Sequence, residues 1–163
     1  MTTPTVATPL ASLVGSWRGT SRLLTPWTTP AEHHADSTAV VALVAGGRFA
    51  TVAYTWAYEG KPCEGFLLVG REQERDVAHA SWVDSWHQGD RPLTCVGAVD
   101  DAGVVDVRGT YPAPTGPDWG WRIVLDTPDD AGFRLVMYNA TPEGEESLAF
   151  ENVYVRDARA GVA

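Results

Sequence analysis

The chain has 163 residues, 44% apolar and 20% charged. That composition fits one globular domain with a core of its own, and excludes a disordered or coiled-coil chain. Twelve Lys and Arg against 21 Asp and Glu leave a net charge of −9, which repels phosphate backbones and anionic lipid, so neither nucleic acid nor membrane is an expected partner.

The opening residues, 1–9, are rich in Pro and Thr and predict a flexible arm. They lack the basic and apolar regions of a secretory leader, and no apolar run approaches the ~18 residues of a membrane span. The two cysteines, Cys63 and Cys95, form neither a CxxC pair nor a zinc-spaced set, so free thiols and a cytoplasmic location are expected. Pro9 to Val14 predicts a short helical turn ended by Gly15.

From there the period is that of strands. Ten β-rich runs are predicted: Trp17–Thr25, His33–Val44, Arg48–Glu59, Cys63–Glu72, Val77–His87, Leu93–Val99, Val104–Tyr111, Trp119–Asp126, Phe133–Ala140 and Ser147–Arg156. The separators have turn chemistry, as in Gly46-Gly47, Glu59-Gly60, Asp100 to Gly103, Pro128 to Gly132 and Pro142 to Gly144. Ten strands joined by short turns make an antiparallel meander, and closure removes its exposed edges. The expected fold is all-β: a closed up-and-down barrel of about ten strands over residues 10–157, with an internal cavity and a short tail at 158–163. A two-sheet sandwich is the alternative.

Alternation sorts side chains onto two faces. Trp82, Asp84 and Trp86 fall on one face of their strand, with His79, Ser81, Val83, Ser85 and His87 on the other. Trp119, Trp121, Ile123 and Leu125 share a face of theirs. Residues Arg48–Glu59 carry Val52, Tyr54, Trp56 and Tyr58 on one side, although both sides of that run could be buried.

Two motifs at opposite ends carry a resemblance. Gly15-Ser16-Trp17 is a G-x-W, and Asn152-Val153-Tyr154-Val155-Arg156 ends the last strand. The pair resembles lipocalin-like (calycin) barrels, in which a terminal arginine lies across the first tryptophan; the Arg156 guanidinium is therefore expected within ~6 Å of the Trp17 ring. Between them stand Gly46 to Phe49, Glu59 to Gly65, Trp82 to Ser85 and Gly109 to Pro112. In this order they resemble an uncharacterised bacterial family of such barrels, a domain of unknown function. The resemblance implies the fold and supplies no activity. Similarity to fatty-acid-binding proteins is loose, because Arg156 follows Tyr154 instead of preceding it. Nitrobindin-like barrels hold heme through a histidine late in the chain; here the last one is His87, so no heme, and no other cofactor, is expected.

The candidate chemistry is sparse. Asp84, flanked by two tryptophans, is a candidate acid, base or ligand anchor, or else a structural carboxylate satisfied by N–H donors. His33 and His34 point to opposite faces, and His34 is the second catalytic candidate. Four scattered histidines make no metal site. Tyr54, Trp56, Trp82, Trp86, Trp121, Tyr138, Asn152 and Tyr154 are the expected ligand-binding residues, suited to a small apolar or aromatic molecule. No nucleophile elbow, phosphate loop or dinucleotide fingerprint occurs. The expected function is binding of such a molecule in the cavity. The alternative is a cavity enzyme, an isomerase or cyclase with a single acid or base such as Asp84. A homodimer is left open.

Overall fold

A computed structural model describes residues 10–159; the expected arm, 1–9, and residues 160–163 of the expected tail lie outside the described residues. The alternating runs form strands β1 (Gly15–Leu24), β2 (Glu32–Val44), β3 (Phe49–Tyr58), β4 (Lys61–Glu72), β5 (Val77–Asp84), β6 (Leu93–Val99), β7 (Val105–Tyr111), β8 (Trp119–Asp126), β9 (Gly132–Ala140) and β10 (Glu146–Arg156). Each pairs antiparallel with its neighbour in sequence, and β1 pairs with β10 from Trp17↔Arg156 to Leu23↔Phe150. The sheet therefore closes and leaves no edge, which rules out the two-sheet alternative. β5 ends at Asp84, three residues earlier than the alternation predicts.

Apolar side chains alternate inward around the whole barrel and fill it from one end. That end is plugged by the short helical turn, a 3-10 helix at Ala11–Leu13. Trp17 donates its indole N–H to the Leu13 carbonyl at 2.8 Å and meets Phe133 edge to face, centroids 4.8 Å apart. The Arg156 guanidinium lies 4.4 Å from the Trp17 ring centroid, as the G-x-W and the terminal arginine predict, and also donates to the carbonyls of Val14 (2.8 Å) and Ser12. Gly15 is required here: its φ is +134°, and a Cβ would stand 2.8 Å from an Arg156 nitrogen.

The opposite end carries the loops after β1, β3, β5, β7 and β9. There the side chains leave space.

Candidate functional site

The site begins where β5 stops. Trp82 and Asp84 point inward with the alternation, and both are buried. Asp84 then captures the chain that follows: its Oδ1 accepts the backbone N–H of Trp86 at 2.9 Å and of His87 at 3.1 Å. An aspartate satisfying its own downstream backbone is a turn former. The bend cancels the period of two. His87 was expected beside Val83 and Ser85 on the outer face; instead its side chain is only 6% exposed, and its Nδ1 lies 3.0 Å from the same Oδ1. The Gln88 side-chain oxygen accepts the Asp84 backbone N–H at 3.0 Å and closes the turn.

The other carboxylate oxygen is held from β3. Asp84 Oδ2 accepts the Tyr54 hydroxyl at 2.8 Å and the Trp56 indole N–H at 3.2 Å, while Trp82 donates its indole N–H to the Tyr54 oxygen at 2.9 Å. Gly65, opposite Tyr54 on β4, makes room for the phenol, since a Cβ there would come within 2.1 Å of the ring. Burial pushes the Asp84 carboxyl upward, but its contact with His87, the Trp86 N–H and the Tyr54 hydroxyl outweigh burial and hold it below its usual range. Burial and the Asp84 charge push the Tyr54 phenol well up, so it stays a neutral donor.

The His87 imidazole sits inside an aromatic shell. Ring centroids lie at 4.8 Å for Trp86, 5.2 Å for Phe150, and 5.5 Å for Trp56, Trp82 and Trp121. Trp82 and Trp121 are stacked, 5.3 Å apart and 9° from parallel. With a carboxylate at Nδ1, the neutral ring carries its proton there and presents Nε2 as an acceptor. His87 Nε2 and the Trp121 indole N–H are buried without a hydrogen-bond partner, as are both side-chain polar atoms of Asn152.

Two adjoining cavities open at this end. One, of about 720 Å³, is walled by Trp86, His87, Tyr111, Trp119 and Trp121, with Trp27 at its rim. The other, of about 560 Å³, shares His87, Tyr111 and Trp121 and adds Trp82 and Arg91. A further hollow of about 580 Å³ lies against the outer wall at Val40, Phe66 and Val83, which face solvent. Among the described residues no three His, Cys, Asp or Glu side chains gather as a metal site would need, and no helix is long and apolar enough to cross a membrane.

The structure brings Tyr54, Trp56, Trp82, Asp84, Trp86 and Trp121 together. Of the expected ligand-binding residues, Trp82, Trp86 and Trp121 line the lumen cavities, whereas Tyr54, Trp56, Asn152 and Tyr154 point inward but line neither; Tyr154 packs on Phe133 toward the closed end and shares a hydrogen bond with the Ser37 hydroxyl at 2.8 Å. Two expectations are corrected. His34 is 63% exposed on the outer wall, 2.7 Å from Glu32, because Ser37 points inward and the even positions before it point out. The half-buried neighbour is His33, 3.0 Å from the Thr25 hydroxyl. Tyr138 lies outside under the Arg122 guanidinium at 5.4 Å, since Leu135 and Met137 take the inward positions of β9. His87 is the residue that alternation missed. Its only signal was local: an aspartate three residues before a histidine at the end of a strand.

The family model described as "Protein of unknown function (DUF1579)" matches residues 7–156. No curated protein matches the chain. Among solved structures, the crystal structure of Rv2717c from M. tuberculosis is similar, with a TM-score of 0.64 and 16% identity over 96% of this chain and 99% of that one. At that identity the likeness is one of fold.

Proposed function

Because the chain belongs to the DUF1579 family of proteins of unknown function, we propose its role from its own site: the barrel binds a small, flat, largely apolar or aromatic molecule at its open end. The observation that carries this is the cavity of about 720 Å³ walled by Trp86, Tyr111, Trp119 and Trp121, with two unpartnered polar atoms, on His87 and Trp121, in the residues that line it. Apolar walls with a few fixed polar groups are the ordinary make-up of a small-molecule site. The buried free thiols of Cys63 and Cys95 support a reducing, cytoplasmic setting. The Trp17–Arg156 stack supports a lipocalin-like relationship.

The test is a titration with the neutral dye N-phenyl-1-naphthylamine, together with native mass spectrometry of protein purified from its own host. Saturable quenching of tryptophan emission and a co-purified small molecule are expected. The absence of both quenching and a bound mass would end this reading. A second reading, an isomerase or cyclase in the same cavity, is favoured by the buried His87–Asp84 pair, which could accept and return a proton. Asp84 would orient the imidazole and His87 would make the contact.

A further inference from the structure

We infer that His87, oriented by Asp84, is the hydrogen-bond acceptor for a hydroxyl on the bound molecule, so the ligand is a neutral aromatic alcohol or enol and neither a plain hydrocarbon nor a carboxylate. This rests on the binding proposed above and narrows its chemistry.

The argument starts from the tautomer. Asp84 Oδ1 also accepts two backbone N–H groups, and Oδ2 accepts Tyr54 and Trp56. A carboxylate so committed, and held below its usual range, has no proton to donate, so the Nδ1 contact at 3.0 Å requires the proton on His87. In the neutral ring Nε2, on the far side, is then a lone pair. It is buried, has no partner, and belongs to a ring that lines both lumen cavities. A molecule that filled the cavity without a donor would leave this acceptor unpaired, which sites built on hydrogen bonds reject strongly.

Charge removes the other classes. No Lys or Arg lines the cavity of about 720 Å³; its charged lining residue is Glu32, and the Asp84 carboxylate stands behind His87. Glu32 is already paired with Arg22 at 2.8 Å, and Arg91 lines only the adjoining cavity, so a ligand carboxylate in this cavity would stand before Asp84 with no free counter-ion. The Trp121 indole N–H, also unpartnered and on the same wall, can donate to the hydroxyl oxygen while that hydroxyl donates to His87. Together, one acceptor and one donor within an aromatic wall describe a hydroxyl on a flat ring.

The experiment compares three probes of one shape, naphthalene, 2-naphthol and 2-naphthoate, by displacement of N-phenyl-1-naphthylamine at about pH 8, above the ordinary histidine range. The wild-type protein should bind 2-naphthol about tenfold tighter than naphthalene, with 2-naphthoate weakest. His87→Phe should keep naphthalene affinity and erase the preference for the alcohol. Equal binding of naphthol and naphthalene by the wild type, or a preference that survives in His87→Phe, overturns the inference. Histidine-selective proton–nitrogen NMR on the wild-type protein gives a second test without any substitution. His87 should be protonated at Nδ1, its Nε2 resonance should move with 2-naphthol and stay still with naphthalene, and Asp84→Asn should disturb the tautomer. An Nε2-protonated ring in the free protein overturns the inference. If the dye binds and none of the three probes displaces it, the hydroxyl assignment fails alone; if the dye does not bind either, the binding reading fails with it.

Discussion

One carboxylate oxygen of Asp84 holds both ends of His87: its backbone N–H at 3.1 Å and its ring Nδ1 at 3.0 Å. The same atom thus ends β5, turns the chain inward and orients the imidazole it has brought into the barrel. Structure and proposed recognition depend on a single group there.

Removing that group should be costly. Asp84→Ala strands two backbone N–H groups, a phenol, an indole and the His87 ring N–H in a buried site, and should cost about 3–5 kcal/mol. Asp84→Asn keeps an acceptor and should cost roughly 1–2 kcal/mol. Urea unfolding checks both, and an alanine variant within about 1 kcal/mol of wild type would contradict the hydrogen-bond assignment.

The same residue sets a pH dependence. Its folded-state carboxyl is held below the ordinary value of 3.8. A depressed acid contributes stability that is present above its unfolded pKa and is lost as pH falls through the folded one. The stability gap between wild type and Asp84→Asn should therefore be full at neutral pH and shrink below about pH 4. Unfolding curves taken at steps from neutral to acid pH measure it; a gap that grows on acidification would reverse the sign argued here.

Tyr54 reaches Asp84 only because β4 has no side chain at Gly65. Gly65→Ala should push the phenol off the carboxylate and cost about 1–3 kcal/mol by overpacking. Thermal melting would show the loss, and a crystal structure of the variant with the 2.8 Å bond to Asp84 intact would refute the cause.

At the closed end, Arg156→Ala removes a cation from the Trp17 face and leaves two carbonyls without their donor. A loss of about 1–2 kcal/mol is expected for this partly exposed group, only partly restored by lysine, which cannot stack and fork together. Ligand affinity at the far end should be unchanged.

His34→Ala and Tyr138→Phe act as outer-wall controls. Both side chains lie outside the lumen, so neither should change dye binding, and each should alter stability by no more than about 0.5 kcal/mol. A binding defect in either would reopen the placement of the cavity.

Alternation and turn chemistry alone were enough for ten strands, most of them within a residue or two of their observed ends, because both signals are written in neighbouring residues. Closure followed from the need to leave no edge, and the resemblance carried by Gly15, Trp17 and Arg156 pointed to the stack that joins the two strands at the chain's ends. Parity put Trp82 with Asp84, Trp121 with Ile123 and Tyr54 with Trp56 for the same reason, but left open which face of the Tyr54 strand points inward. His34 and Tyr138 were open to parity too, had Ser37 and Met137 been taken as the inward markers. His87 was not. Parity holds only while the backbone stays extended, and whether Asp84 would bond the next strand's partners or its own downstream amides depends on Tyr54 and Trp56, thirty and twenty-eight residues away, already occupying its other oxygen. The same is true of the cavity. Its walls come from β1, β7, β8, β9, β10 and the loops after β1 and β5, and their meeting at one rim is a product of barrel closure, which no stretch of the chain contains by itself.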